Sequence, residues 1–234
     1  MTPFVDLVSI AAPLPESDLD TDVIFPARFL LLLDRRGLAV HLFHERRGAA
    51  GEPFVLDRPP FDRAQILVAG ANFGCGSSRE QAVWALADFG LRAIVAPSFG
   101  EIFQTNCFRN GVLPVTLEVN AHRVVIEAAG SGEPLEISVA RQSIRLCNGQ
   151  IFAFAVDPGR RRDLMLGRDE IGAILADDAD DIAAFERGRK TSSPWLNLSE
   201  DQLAYLHGLG GADFDKCTRI RGECPDEESP SPLR

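Results

Sequence analysis

The chain has 234 residues, of which 45% are apolar, and a formal net charge of −10 at pH 7. That length suits one domain of ordinary size with appendages, and the apolar content is enough for a sizeable core. The acidic balance argues against a non-specific binder of nucleic acid or anionic membrane, and no apolar run approaches the roughly 20 residues of a membrane span.

The N-terminus, MTPFVDLVSIAAPLPESD, has no basic segment ahead of its apolar residues, so a signal peptide is not expected. The five cysteines, Cys75, Cys107, Cys147, Cys217 and Cys224, are odd in number and lack tight pairs. Reduced thiols in a cytoplasm fit that pattern.

In chain order, residues 4–10 read as a short strand that ends at APLPESD. Residues 18–47 hold an acidic turn, the apolar run Phe29-Leu30-Leu31-Leu32-Leu33, read as a core segment, and a basic patch. AQILVAG (64–70) is a β-type run. REQAVWALADFG follows with Ala82, Val83, Leu86 and Phe89 at helical spacing and Gly90 as the stop. LRAIVAPSF (91–99) is a strand, GEIFQTNCFRNG (100–111) a helix and VLPVTLEV (112–119) a third strand. This order predicts parallel βαβ units. Residues 120–156 read as short strands separated by glycine turns, an antiparallel meander. DDADDIAAFERG (177–188) is a helix that begins in acid, as its dipole prefers. The domain is expected to span 1–187. Residues 188–234 are expected to form a partly disordered C-terminal extension.

The most informative stretch is GANFGCGSSRE (70–80). A strand that ends in such a loop and leads into a helix suits an anion, because the first amides of the helix are unpaired. Gly70, Gly74 and Gly76 allow close approach to the backbone, and Arg79 can form a two-pronged pair with a carboxylate or phosphate. A dinucleotide loop fits poorly, because Arg79 stands where a third glycine is needed for close helix–strand packing. A Walker loop fails for want of Gly-Lys-Ser/Thr. The plainer alternative is a capping box, Ser77-x-x-Glu80, repeated in SFGE (98–101). Cys75 alone lacks partners at metal-ligand spacing.

The stretch ANFGCGSSREQAVWALADFGLRAIVAPSFGEIFQTNCFRNGVLPVTL resembles the swivelling domain of the aconitase superfamily, and most of all the small subunits of bacterial 3-isopropylmalate dehydratases. Supporting motifs are GCGSSRE at Gly74–Glu80, Ser98–Asn106, Gly111–Pro114, DTDVIFPARFL at 20–30 and DLMLGRDEIGAIL at 163–175, together covering about residues 4–186. The resemblance implies an α/β, three-layer β/β/α swivelling domain, a partly open barrel with βαβ units. It also implies a hydro-lyase active only with a larger subunit. That partner would carry a four-iron four-sulfur cluster with one open iron acting as a Lewis acid, and no metal would be bound by this chain. Leucine biosynthesis is the implied pathway. Ser77 would be the base that takes a proton beside a substrate carboxylate. Ser78, Arg79 and Gly76 would contact the carboxylate. Asp20, Thr21, Asp22, Asn72 and Gly74 would support the loop.

The resemblance places substrate selection near Leu31. An apolar residue there favours an alkyl substituent, whose burial gains a few kcal/mol. Arg28, Arg35 and Arg36 keep a carboxylate alternative open, and core packing explains the leucines equally well. The rival substrates are citramalate, dimethylmalate and homocitrate. A non-catalytic anion-binding or regulatory module is the rival class. His41 and His44, one turn apart, lack a third metal ligand and suit a surface or interface role. Arg160-Arg161-Arg162 reads as a solvated turn.

Overall fold

The structure is a computed structural model that describes residues 1–203, except 33, 48–50, 78, 197 and 200–202. Cys217, Cys224 and the expected disordered end lie outside the described residues. The elements are β1 (Asp6–Leu14), α1 (Thr21–Ile24), α2 (His44–Arg47), β2 (Ile66–Ala69), α3 (Glu80–Phe89), β3 (Ala93–Ala96), α4 (Glu101–Arg109), β4 (Leu113–Thr116), α5 (Val119–Gly130), β5 (Pro134–Ser138), β6 (Ser143–Arg145), β7 (Ile151–Ala153), α6 (Pro158–Leu166), α7 (Glu170–Asp177) and α8 (Ala179–Ser192). Residues Met1–Asp177 form one compact unit, and the chain from Asp178 on forms another. The described part of the second unit is α8, with Asp180 and Asp181 in its first turn and Arg189 and Lys190 in its last, followed by a 3₁₀ turn at Pro194–Leu196. That charge order complements the helix dipole.

The first unit is built on one seven-stranded sheet in the order β4-β3-β2-β1-β5-β6-β7. β1 to β4 run parallel and β5 to β7 continue antiparallel, giving a curled half-barrel. Alternation along the buried strands divides the core. Leu67, Ala69, Ile94 and Ala96 face α3, α4 and the 19–56 segment, together with Phe25, Phe73, Leu86 and Phe103. Ile66, Val68, Ala93 and Val95 face α5 and the curled strands β5–β7, with Val125, Ala129, Ile137 and Ile144. These are the layers of the expected α/β fold. Each fully buried Val, Leu, Ile or Phe among these contributes about 1.5–3 kcal/mol, and each alanine less.

Four sequence expectations change. Residues 119–130 are a helix, not a strand: His122, Val125 and Ala129 share its buried face, a period that Val124-Val125-Ile126 masks in the sequence. β1 continues through Pro13 to Leu14, pairing Pro13 with Val68. Proline is tolerated because β5 pairs only with residues 6–10, so beyond Ile10 β1 has one partner strand. Leu31 is 90% exposed and Leu32 is 40% exposed, so these two are not core residues; of the described residues of the run, Phe29 and Leu30 pack on the core, and Leu33 lies outside the described residues. Arg160-Arg161-Arg162 is the first part of α6, not a solvated turn. Arg160 lies over Phe108 of α4, Arg161 donates to the Ala140 carbonyl, and Arg162 pairs with Asp177 of α7. The run splays toward three different elements.

His122 ties α5 to the end of β2. It is only 8% exposed, and its Nε2–H donates to the Ala69 carbonyl at 2.7 Å, one residue before the Gly70 loop. Burial lowers its pKa, opposed by the hydrogen bond to Ala69. The folded chain therefore binds fewer protons here than the unfolded chain. The stabilisation is complete above the unfolded value of about 6.5 and is lost as pH falls toward the lower folded value. His122→Gln, which keeps a donor but does not titrate, is expected to flatten the decline in denaturation midpoint below about pH 6.5. An unchanged slope in urea titrations across that range would rule His122 out as its source.

Candidate active site at the carboxyl ends of the central strands

In a parallel α/β sheet, ligands sit beyond the carboxyl ends of the strands, where loops from neighbouring strands meet. Here three loops meet: Pro15–Thr21 after β1, Gly70–Arg79 after β2 and Pro97–Gly100 after β3. The middle loop is laced to the other two. Gly70 N–H donates to Leu14 O (3.0 Å), Gly74 N–H to Leu19 O (2.8 Å) and Phe73 N–H to Ser98 O (3.1 Å). In return, Asp18 N–H donates to Ala71 O (2.9 Å), Thr21 N–H to Cys75 O (3.2 Å) and Gly100 N–H to Phe73 O (2.9 Å).

Side chains complete the lattice. Asn72 sits in the left-handed region at φ +57, which asparagine tolerates better than most residues. Its amide donates to Asp18 Oδ1 at 2.7 Å, while its backbone N–H donates to Ser98 Oγ at 2.8 Å. Asp20 caps α1 by accepting from Val23 N–H at 2.8 Å. Thr21, only 1% exposed, donates its hydroxyl to the Ser77 carbonyl. Asp22, on the next residue, pairs with Arg79. Gly74 and Gly76 both take positive φ, +72 and +80, and a Cβ on Gly74 would lie 2.2 Å from the Phe103 ring.

The structure therefore joins Asp20, Thr21, Asn72, Gly74 and Ser77 through hydrogen bonds of the three loops, and Asp22 and Arg79 join them through an ion pair, with Gly76 between Cys75 and Ser77 on the same loop. Ser78 lies outside the described residues. Leu31 stands apart from this network, on an exposed turn after Phe29. Sequence reading missed Ser17 and Asp18 and read Ser98 as a helix cap: the Ser17 hydroxyl accepts from Ala71 N–H at 3.2 Å, 54 residues away. The one local hint was the APLPESD punctuation at the end of β1.

The capping-box reading is overturned. The N-cap of α3 is Arg79, with no side-chain cap, and Glu80 accepts a hydrogen bond from Asn110 at 2.9 Å instead of folding back. Likewise the N-cap of α4 is Gly100, and Ser98 is occupied by Asn72. Ser77 lies two residues ahead of the N-cap of α3, exposed, its carbonyl held and its Oγ without a hydrogen-bond partner among the described residues. A held backbone with a free hydroxyl suits a group that meets a ligand. Next to it α3 begins; its Ala82 N–H is taken by the Arg79 carbonyl at 3.2 Å, but the partial positive charge of the helix start favours negative charge there.

Arg79 is largely sheltered, its side chain 16% exposed against 44% for Asp22. Its Nη1 reaches Asp22 Oδ1 without a well-aligned hydrogen bond, leaving the guanidinium able to meet another carboxylate. Cys75 is a poor nucleophile. Burial, then Asp20 and Asp18, raise its thiol pKa. Burial alone raises Cys107 well above the ordinary thiol range. Among the described residues no three of His, Cys, Asp or Glu converge to hold a metal ion. His41 and His44 are not a free surface pair: they flank the Phe29 ring.

Comparison with known proteins identifies the class first. The family model of the aconitase C-terminal domain matches residues 1–120, and that of the C-terminal domain of 3-isopropylmalate dehydratase small subunits matches 177–199. The curated 3-isopropylmalate dehydratase small subunit of Paramagnetospirillum magneticum is 48% identical over 202 residues, 84% of this chain and 100% of that one. The one from Rhodospirillum rubrum is 46% identical over 206 residues, 86% of this chain and 99% of its own length. A crystal structure of 3-isopropylmalate dehydratase (leuD) from Methanocaldococcus jannaschii matches with a TM-score of 0.60 at 26% identity, over 76% of this chain and 99% of that one. This chain belongs to the family of 3-isopropylmalate dehydratase small subunits.

Proposed function

We propose that the chain is the small subunit of a two-chain hydro-lyase that interconverts 2-isopropylmalate and 3-isopropylmalate by dehydration and rehydration in leucine biosynthesis. Near-complete coverage of the curated relatives, at up to 48% identity, carries this reading. The reaction is redox-neutral. A proton leaves the carbon beside a carboxylate, the neighbouring hydroxyl departs as water, and re-addition in the other sense gives the isomer. The cytoplasm is the proposed compartment; no described helix is long and apolar enough to cross a membrane.

On this reading Ser77 Oγ accepts the proton. A serine hydroxyl is a very weak acid, so its anion needs help. The amides at the start of α3 and the Arg79 guanidinium supply positive potential, and exclusion of water strengthens both. Exposed Ser77 has no such exclusion in this chain alone, so a covering partner is needed. Arg79 and Ser78 hold a substrate carboxylate, with Gly76 giving it room, and Leu31 meets the alkyl group. The iron–sulfur cluster belongs to the larger subunit. The described residues here offer no ligand set that fits one.

Purified chain mixed with its large subunit under anaerobic conditions is expected to isomerise 3-isopropylmalate, while neither chain does so alone. Faster turnover of homocitrate or citramalate than of isopropylmalate would overturn the substrate assignment. Arg79→Ala is expected to cost about 1.5–3 kcal/mol of substrate binding, or roughly 10–100-fold in KM. Unchanged KM in steady-state assays would remove Arg79 from the carboxylate site.

A further inference from the structure

Phe29 ends a 3₁₀ turn at Ala27–Phe29, and the Leu32 N–H closes back on the Phe29 carbonyl at 3.0 Å. Leu31 sits inside that closed turn and projects into solvent. The turn has few anchors. Leu30 lies on the core, Arg28 reaches Glu45 at 2.5 Å with both partners more than half exposed, and Phe29 is held by rings. The His41 imidazole stacks flat on Phe29 with centroids 4.0 Å apart and 22° between planes. His44 meets Phe29 edgewise at 5.0 Å, and buried Phe25 lies 5.9 Å away. The Arg28 guanidinium also sits over Phe29, 4.8 Å from its centroid.

His41 itself is on a fixed element. It closes the 3₁₀ turn Ala39–His41, flanked by Leu38 and Leu42, which are 1% and 0% exposed. The Ala39 N–H donates to Asp88 of α3 at 2.8 Å, and Arg47 donates to the Ala39 carbonyl at 2.9 Å. α3 is the helix that begins directly after Ser77–Arg79. His41 Nδ1 is buried and makes no hydrogen bond. Among the described residues that nitrogen has no polar partner, so this side of the ring meets its neighbours through contact alone.

We infer that His41 is a positioning residue for substrate selection: by stacking on Phe29 it fixes the Leu31 turn relative to α3 and so sets where the alkyl group of the substrate is received. This rests on the functional reading above, in which Leu31 meets that group. An offset-stacked ring pair is worth about 0.5–1.5 kcal/mol beyond its area, a factor of roughly 2–10. His41→Ala in the assembled enzyme should therefore raise KM for 3-isopropylmalate by about 2–10-fold with kcat within about twofold. KM for citramalate, whose substituent is a single methyl, should change less. His41→Phe, which restores an aromatic ring, should recover KM.

Hydrogen exchange on the full chain without its partner gives a second readout. The Leu30 and Leu32 amides should exchange faster in His41→Ala, by a similar factor, while those of β2 and β3 do not. Parallel loss of kcat, KM and thermal midpoint, or failure of His41→Phe to recover KM, would overturn the inference. Unchanged exchange at Leu30 and Leu32 would do so too. Wild-type assembly that ignores isopropylmalate would sink the functional reading and leave the exchange result to judge the stack.

Discussion

Ser77→Ala should lower kcat of the assembled enzyme by about 10²–10⁴-fold, the usual worth of a positioned general base. KM should change little, because the carboxylate contacts assigned to Arg79 and Gly76 remain. Folding should also survive. The Ser77 side chain is exposed and makes no hydrogen bond among the described residues; the loop's grip on this residue is through its carbonyl, which alanine keeps. Comparing kcat with the thermal midpoint of the same variant separates the two possible roles. A drop in stability with kcat nearly intact would make Ser77 a structural residue.

The second large effect is on stability. Gly74→Ala is expected to destabilise the chain by more than about 3 kcal/mol, beyond the usual range of single substitutions. Two costs combine. The backbone at φ +72 costs an L-residue about 1–2 kcal/mol. The new methyl would also stand 2.2 Å from the Phe103 ring, which is only 1% exposed and packs edgewise on Phe73 at 5.4 Å. The ring cannot swing out, so the loop must move and break its bonds to Leu19 and Ser98. Activity should fall with it, because Ser77 is three residues away on the same lattice. Urea unfolding gives the number directly; a loss below about 1 kcal/mol would mean that the loop yields easily and is not the rigid frame described here.

The βαβαβ core was legible because short apolar runs alternate with helical spacing and end at Gly90 and Gly111. The helix at 119–130 was hidden because three consecutive β-branched residues, Val124-Val125-Ile126, read as a strand while its buried face is spaced three and four apart. The leucine run misled for the opposite reason. Composition says that leucines are buried, but nothing local shows that a turn closing on Phe29 pushes Leu31 outward. At the site, residue types and glycine spacing located the loop. Its architecture depends on partners 54 and 56 residues apart, Asp18 with Asn72 and Thr21 with Ser77, which spacing alone does not pair. The S-x-x-E pattern suggested a cap. Instead Thr21 and Asp22 hold the Ser77 carbonyl and Arg79, and the helix starts later. The hydroxyl that a cap would have consumed is thus left without a partner among the described residues.

The most direct measurement follows the unsaturated dicarboxylate formed when the large subunit and 3-isopropylmalate are mixed with this chain or with Ser77→Ala. With the wild-type chain the alkene should appear and 2-isopropylmalate should accumulate. With Ser77→Ala both should fall by at least about a hundredfold although the two chains still co-elute. Alkene formation at the wild-type rate by the variant assembly would contradict the assignment of Ser77 as the base.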